Sequence, residues 1–241
     1  GLGPGDPRLL TAAASEALAQ AQDLIGYIPY VARVPERPGL TRHASDNRVE
    51  VDRARHALEL ASSGRRVAIV SGGDPGVFAM AAAVFEAVEA GDPAWRRLDI
   101  RVEPGVTAML AAAAEVGAPL GGDFCAISLS DNLKAWSTVE RRLKAAAEGD
   151  FVIAFYNPAS KARPTQLGQA FDSLRTLKSA DTPVLLVRAA GTADAQVITT
   201  TLGAADPSRA DMRTLVIVGA STTRQVGRWV YTPRSERAGR S

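Results

Sequence analysis

Short apolar runs alternate along the chain with amphipathic or alanine-rich stretches, and this alternation limits the possible folds more than any other feature. Runs rich in β-branched residues predict strands, whereas apolar residues at helical spacing, as at Val51, Ala54 and Leu58, predict helices. Strands that alternate with helices assemble into a sheet whose faces the helices cover. The sequence therefore predicts an α/β fold.

The same pattern places the individual elements and suggests where the chain divides. We expect strands at Asp23–Tyr27, Val67–Val70, 99–103, 124–129, Val152–Tyr156, 184–188 and Thr214–Val218. We expect helices at 11–21, Glu50–Ser62, 77–90, Ala108–Val116, 137–147, 165–178 and 193–204. Glycines and a proline interrupt the pattern at 117–124. The sequence thus predicts two α/β domains, residues 1–120 and 121–232, followed by a loose tail at 233–241.

Composition excludes several classes of partner. The 28 basic residues barely outnumber the 26 acidic ones, which argues against a nucleic-acid partner. A single cysteine, Cys125, excludes an internal disulfide and a multi-cysteine metal site, and it is typical of a cytoplasmic protein. No apolar run reaches the ~18 residues of a membrane span, so we expect no membrane partner. The sequence opens inside a glycine-rich loop, which leaves open whether a strand precedes residue 1.

Three glycine-containing loops are the candidate ligand-binding features. They read GLGPGD at 1–6, SGGDPG at 71–76 and EPGVTA at 103–108. The second and third follow predicted strands, at the sheet edge where ligands gather in α/β proteins. Asp74 and Thr107 are also good helix caps, so a purely structural role is the alternative, although it leaves Gly72 and Gly73 unexplained.

The loops also indicate the kind of ligand. The first one lacks the third glycine of a dinucleotide-binding fingerprint, because Asp6 stands at that place. None of the three contains a lysine or arginine that would neutralise phosphates. We therefore expect a flat, polar ligand without several negative charges, such as an adenosyl group attached to an amino acid.

In this order and spacing, the three loops resemble those of the tetrapyrrole (uroporphyrin-III C/corrin) methyltransferases, and the resemblance covers nearly the whole chain. The segments GYIPYV, DNRVEVDRARHALELA, AFYNPAS and MRTLVIVGASTTR resemble the branch that methylates precorrin-3B at C-17 and contracts the macrocycle to precorrin-4 in cobalamin synthesis. The resemblance implies two α/β domains with S-adenosyl-L-methionine in a cleft between them and S-adenosyl-L-homocysteine as product. It also implies a small-molecule tetrapyrrole substrate and usually a homodimer.

The resemblance further implies a set of cofactor-binding residues at the matching motif positions. They are Pro4, Gly72, Gly73, Asp74, Val77, Thr107, Ala108, Asn157 and, after a shift of one residue, Gly191.

Candidates for proton transfer are few. Methyl transfer from a sulfonium is an in-line displacement that depends mainly on positioning, whereas ring contraction also requires proton movement. A related branch has an aspartate general base at the position of Ile28, which this chain lacks. The catalytic candidates are therefore Tyr27, Tyr30 and His43. Core packing of one tyrosine and an exposed loop histidine are the alternatives.

The carboxylates of a precorrin require basic partners. The basic residues considered are Arg33, Arg37, Arg42, Lys134, Lys161, Arg163 and Arg224, of which Arg33, Arg42, Lys161 and Arg224 are the substrate-binding candidates. Solvated surface charge is the alternative for each of them. Other corrin-pathway methyltransferases, acting at C-20 or C-11, and a non-catalytic corrinoid- or nucleotide-binding module remain alternative functions.

Overall fold

A computed structural model describes residues 1–46, 49–160 and 162–235. By contacts between Cα atoms the chain divides into two compact units, Gly1–Ala108 and Met109–Ser241. This division lies earlier than the predicted one because Gly117 and Ala118 pair with Val230 and Tyr231, near the end of the second unit. The domain boundary after residue 120 stays a prediction, and residues 236–241 of the predicted tail lie outside the described residues.

The first unit is built around a parallel three-stranded sheet. Its elements in chain order are α1 (Ala12–Gln20), β1 (Asp23–Tyr27), α2 (Ile28–Val31), β2 (Thr41–Ser45), α3 (Glu50–Ser62), β3 (Val67–Val70) and α4 (Met80–Ala90). Strand β1 is central, and its residues Leu24 and Ile25 are almost completely buried. Parallel strands bury both faces, so the buried Leu24 and Ile25 of β1 and the apolar run of β3 fit this sheet. All three strands end at the same edge, which places the loops after β1 and β3 side by side.

The expected strand at 99–103 is wrong. In the described part of the chain this segment joins no sheet. A cavity of about 690 Å³ lies between it and β3, with Ile69, Ile100 and Val102 among the lining residues. Strands must approach to about 4.8 Å to form a hydrogen-bond ladder, whereas these two segments line opposite sides of a cavity.

The second unit contains a larger, mixed sheet. Its elements are α5 (Ala108–Val116), β4 (Gly117–Ala118), β5 (Phe124–Ser128), α6 (Trp136–Glu148), β6 (Val152–Tyr156), α7 (Gln166–Arg175), β7 (Pro183–Arg188), β8 (Gln196–Thr201), β9 (Thr214–Val218), β10 (Arg224–Val226) and β11 (Trp229–Tyr231). The main sheet has the order β5-β6-β9-β7-β8, and β10, β11 and β4 form a small second sheet. Leu143 of α6 and Phe171 of α7 pack with Phe155 of β6 in a core without solvent exposure.

The parallel or antiparallel pairing of the strands determines which loops lie at each edge of the main sheet. Strand β5 is parallel to β6, whereas β9 is antiparallel to both β6 and β7. The carboxyl ends of β5, β6 and β7 therefore lie at one edge of the sheet. The α/β prediction is confirmed, and strands β1, β3, β6 and β9 have the predicted bounds.

The expected helix at 193–204 is wrong, because residues 196–201 form strand β8 antiparallel to β7. Val197, Ile198 and three following threonines are β-branched, and such side chains favour a strand over a helix. The alanines at 193 and 195 suggested a helix, but they lie before the strand. None of the helices formed by residues 1–46, 49–160 and 162–235 is long and apolar enough to cross a membrane.

Candidate functional site

The three glycine loops of the first unit meet through their backbones. Gly3 donates to the Gly73 carbonyl at 3.1 Å, and Gly73 donates back to the Gly3 carbonyl at 2.9 Å. A Cβ atom on Gly105 would overlap the Gly73 carbonyl oxygen, and one on Gly1 would lie 2.6 Å from that same oxygen. These glycines are needed because the backbones of the three loops touch where a side chain would otherwise stand.

Asp74 ties the second loop to the third. Its Oδ1 accepts from the Gly76 N–H at 2.7 Å, and its Oδ2 accepts from the Gly105 N–H at 3.0 Å. The interpretation of Asp74 as the cap of the following helix is wrong, because α4 begins only at Met80. The predicted helix start at residue 77 fails because Phe78 has a φ of 52°, in the left-handed region that a helix does not use.

Helix α2 supports the first two loops. A Cβ atom on Gly72 would lie 2.7 Å from Cε1 of Tyr30, so the tyrosine ring fills the space beside this glycine. Arg33, just after α2, donates from Nη2 to the carbonyls of Leu2 and Gly3 at 2.7 and 3.0 Å. Burial raises the pKa of Tyr30, with Arg33 acting in the opposite direction, and burial also lowers the pKa of Arg33.

The remaining cofactor candidates of the first unit lie on the same loops. Gly73 lies against the backbone of Thr107, which is buried and precedes Ala108 at the start of α5. Val77 donates its N–H to the Asp74 carbonyl at 3.3 Å. Pro4 follows Gly3 in the first loop and is half-buried. The structure therefore brings the sequence candidates of this unit together at one edge of its sheet.

His43 belongs to a different cluster. In β2 its Nε2 lies 2.9 Å from Oδ1 of Asp23, the first residue of β1, and its Nδ1 lies 3.2 Å from Nε2 of His56. Asp23 is 2% exposed and also accepts from Arg65, and the hydrogen bond from Arg65, followed by that from His43, holds the carboxyl pKa below its usual range. The exposed-loop alternative for His43 is wrong. Both ring nitrogens of His43 contact this cluster at the amino end of β1. Tyr27 lies at the carboxyl end of β1, so the structure does not bring His43 together with this tyrosine.

In the second unit the candidates lie at the carboxyl edge of the main sheet. Asn157 follows β6 with a φ of 52°, and its Nδ2 donates to Ser128 Oγ at the end of β5, at 3.0 Å. Gly191 follows β7 with a φ of 70°. Sequence reasoning did not single out Ser128, although a hydroxyl as the last residue of a strand was the available signal.

The four basic candidates are placed differently. Arg33 binds the first loop, and Arg42 donates to the Val34 carbonyl and to Glu36. The Arg224 guanidinium lies 5.4 Å from the ring centre of Tyr231. Lys161 lies outside the described residues. Protein groups thus engage the three described candidates, and their substrate role stays a prediction.

No three or more His, Cys, Asp or Glu side chains of residues 1–46, 49–160 and 162–235 are grouped so that they could hold a metal ion.

The chain is similar to known proteins over most of its length. The family model "Tetrapyrrole (Corrin/Porphyrin) Methylases" matches residues 1–206. The chain is 56% identical to a precorrin-3B C(17)-methyltransferase of Sinorhizobium sp, over 97% of this chain and 94% of that protein. The crystal structure of the methyltransferase CobJ has 57% identity and a TM-score of 0.95, with 97% of both chains covered.

A more distant structure supports the fold alone. It is the uroporphyrin-III C-methyltransferase from Thermus thermophilus complexed with S-adenyl homocysteine, at 21% identity and a TM-score of 0.65, with 91% of this chain and 94% of that chain covered. Together, the family match and the identity over nearly the full length show that the chain belongs to the tetrapyrrole (corrin/porphyrin) methylase family.

Proposed function

We propose that this protein methylates precorrin-3B at C-17 with S-adenosyl-L-methionine and contracts the macrocycle to precorrin-4, a step of cobalamin biosynthesis. The observation that carries the proposal is the 56% identity, over nearly the whole of both chains, to a precorrin-3B C(17)-methyltransferase. The three interlocked loops of the first unit support the proposal further, because they are the candidate cofactor-binding feature that the sequence predicts.

The loops fit the cofactor in chemistry. Their glycines let the three backbones meet, and a carbonyl that accepts one hydrogen bond in this contact keeps a second lone pair for a ligand. They contain no lysine or arginine, which suits an adenosyl group on an amino acid better than a polyphosphate. The proposed cofactor-binding residues are Pro4, Gly72, Gly73, Asp74, Val77, Thr107, Ala108, Asn157 and Gly191. When bound, the cofactor supplies an electrophilic methyl group.

The residues of this chain contribute mainly positioning. Tyr30 is the proposed proton-transfer residue that adjoins the loops, with Tyr27 5.5 Å away between ring centres. A tyrosine with the ordinary pKa of 10.0 is protonated at neutral pH, and burial raises the pKa of Tyr30 further, so the phenol has a proton to donate to a ligand. His43 is the weaker proposal, since Asp23 and His56 engage both of its ring nitrogens.

We also propose a cytoplasmic homodimer. In the second unit, the hairpin of β10 and β11 exposes Val226 and Trp229, and exposed apolar residues that include tryptophan are typical of protein interfaces. The single cysteine suits a reducing compartment. Sedimentation of the wild type and of Trp229→Ser tests the assembly, and a wild type that sediments as a monomer would contradict it.

Turnover tests the activity. Incubation with precorrin-3B and S-adenosyl-L-methionine is expected to give a product with one additional methyl group and a contracted ring, by mass spectrometry and absorption. A methylated product with an intact ring would favour a C-20 or C-11 methyltransferase instead. Cofactor binding without any turnover would favour the non-catalytic binding module.

A further inference from the structure

A chain of hydrogen bonds connects two cationic side chains at the carboxyl ends of β5 and β6. Lys134 Nζ donates to the Ser128 carbonyl at 2.7 Å, and Ser128 Oγ accepts from Asn157 Nδ2 at 3.0 Å. Arg163 Nη1 in turn donates to the Asn157 carbonyl at 3.2 Å. Two positive charges therefore lie on either side of one serine and one asparagine.

Arg163 is the more unusual of the two. Its side chain is nine-tenths buried. Among the described residues, no carboxylate oxygen lies within 4.0 Å of its guanidinium nitrogens, the limit for an ion pair. Its contacts are the Asn157 carbonyl and, at 4.0 Å, the Met212 sulfur. A guanidinium has five N–H donors, and a buried charge is stable when it is paired and hydrogen-bonded. These contacts leave most of its donor capacity for a ligand.

Lys134 has no carboxylate partner within that distance either, as far as the described residues go. Burial, and then repulsion from Arg142, lowers its pKa, as expected for an ammonium group without a nearby negative charge. Two other cations of the same unit are paired: Arg188 with Asp211 at 2.7 Å, and Lys178 with Asp150 at 2.9 Å. Arg163 and Lys134 lack the counter-charge that these two cations have.

Two further contacts place Arg163. Ser160 and Arg163 exchange backbone hydrogen bonds at 3.1 and 3.0 Å. The bond from Nη1 to the Asn157 carbonyl places the guanidinium beside the end of β6, at the sheet edge where ligands of α/β proteins bind. Arginine forms two parallel hydrogen bonds with a carboxylate, and the geometry is selective for that group.

We propose that Arg163 and Lys134 form a carboxylate-binding site, in which Arg163 provides the buried, oriented contact and Lys134 a second positive charge. The inference rests on the proposed function, because the ligands of that reaction carry carboxylates. One source is an acetate or propionate side chain of the macrocycle, and the other is the amino-acid carboxylate of the cofactor. Both offer the same chemistry to Arg163.

The test compares Arg163→Met, Arg163→Lys and Lys134→Met with the wild type. The matched control is Lys144→Met, which removes a charge from an exposed lysine that pairs with Glu148 on the surface of α6. Uroporphyrin III binding is followed by its fluorescence, and S-adenosyl-L-homocysteine binding by calorimetry. For Arg163→Met we expect a loss of about ten-fold or more in affinity for one of the two ligands. Lys134→Met should lose less, and the control should lose nothing.

The pattern of losses identifies the source. A weaker uroporphyrin complex with unchanged S-adenosyl-L-homocysteine affinity assigns the site to the macrocycle, and the reverse assigns it to the cofactor. A partial recovery in Arg163→Lys supports charge recognition, whereas equal loss in both Arg163 variants supports the two-bond contact. Unchanged affinity for both ligands in Arg163→Met and in Lys134→Met, with thermal unfolding as in the wild type, would overturn the proposal.

This experiment is independent of turnover. If the wild type fails to convert precorrin-3B but binds uroporphyrin III in an Arg163-dependent way, the proposed activity fails and the carboxylate site stands. If turnover is as proposed and neither affinity depends on Arg163 or Lys134, the activity stands and the site fails. Should Arg163→Met not fold, Arg163→Lys and Lys134→Met still decide the question.

Discussion

The loops of the first unit and the strand ends of the second unit are built in opposite ways. In the first unit the loops contact one another through their backbones, and the nearby charged side chains bond to backbone groups. Asp74 accepts hydrogen bonds from two N–H groups, and Arg33 donates to two carbonyls. In the second, Arg163 and Lys134 have no carboxylate partner among the described residues. In the two proposals above, the loops of the first unit select a ligand by shape, and Arg163 and Lys134 of the second unit attract it by charge.

The largest effect is expected when a methyl group is added where the three loops of the first unit touch. Gly105→Ala would force a Cβ into the Gly73 carbonyl, so we expect S-adenosyl-L-homocysteine binding to be lost and the free energy of unfolding to fall by about 1–3 kcal/mol. Calorimetry and urea unfolding measure the two effects. Gly168→Ala, whose Cβ would find its nearest neighbour at 3.7 Å, is the control. Equal behaviour of the two variants would contradict a site built from backbone contact.

A second change tests whether Tyr30 packs on the loop. In Gly72→Ala the new methyl group would meet the Tyr30 ring, so we expect the free energy of unfolding to fall by about 1–3 kcal/mol. Adding Tyr30→Ala should make the double variant more stable than the sum of the single effects predicts, because it removes the clash. If the effects of Gly72→Ala and Tyr30→Ala on the free energy of unfolding are additive in the double variant, the new methyl group does not clash with the Tyr30 ring.

A conservative variant of Tyr30 distinguishes a packing role from a role in proton transfer. Tyr30→Phe keeps the ring beside Gly72 and removes only the hydroxyl. We expect it to bind S-adenosyl-L-homocysteine as the wild type does and to lose turnover of precorrin-3B. Full activity would leave Tyr30 as a packing residue only.

Asp74 tests the contact between the second and third loops, and its expected effect on binding is smaller than that of Gly105→Ala. Asp74→Ala leaves the Gly76 and Gly105 N–H groups without their acceptor, and we expect a loss of about 1–3 kcal/mol in stability together with weaker cofactor-product binding. Calorimetry and urea unfolding again provide the measurement. Asp74→Asn, which keeps one carbonyl oxygen, should lose less. Unchanged binding in both variants would separate Asp74 from the cofactor site.

The smallest effect is expected at Asp23, outside both sites. Hydrogen bonds from Arg65 and His43 lower its carboxyl pKa in the folded protein. A lowered pKa stabilises the fold at pH values above the ordinary aspartate pKa of 3.8, and this contribution disappears as the pH falls below 3.8 toward the folded-state pKa. Asp23→Asn should flatten the acid limb of the stability curve without changing cofactor-product affinity. An unchanged acid limb would remove Asp23 from the account of stability.

The sequence predicted the local features well because they depend on neighbouring residues. The β-branched runs of β3 and β6 and the helical spacing of α3 fixed those elements. Residues 196–201 were assigned to a helix because the adjoining alanines outweighed a short β-branched run. Residues 99–103 have the composition of a strand, but a strand also requires a paired neighbour, which composition does not reveal.

The contacts of the candidate site depended on distant residues and were harder to predict. Asp74 looked like a helix cap because Pro75 follows it, whereas its actual partner includes Gly105, in another loop. The polar stretch around His43 favoured an exposed loop as the alternative to a catalytic role, and the sequence did not reveal its partner Asp23, which begins a different strand. The surroundings of Arg163 depend on the ends of two strands, so the sequence alone indicated only a basic residue.

A crystal structure of the protein with S-adenosyl-L-homocysteine tests the central claim most directly. The account predicts that the ligand contacts the backbone of residues 72–74 and 107–108, with the loop contacts among Gly3, Gly73 and Gly105 preserved. A ligand bound without contact to these loops, or loops that separate to admit it, would contradict the claim that interlocked glycine backbones form the cofactor site.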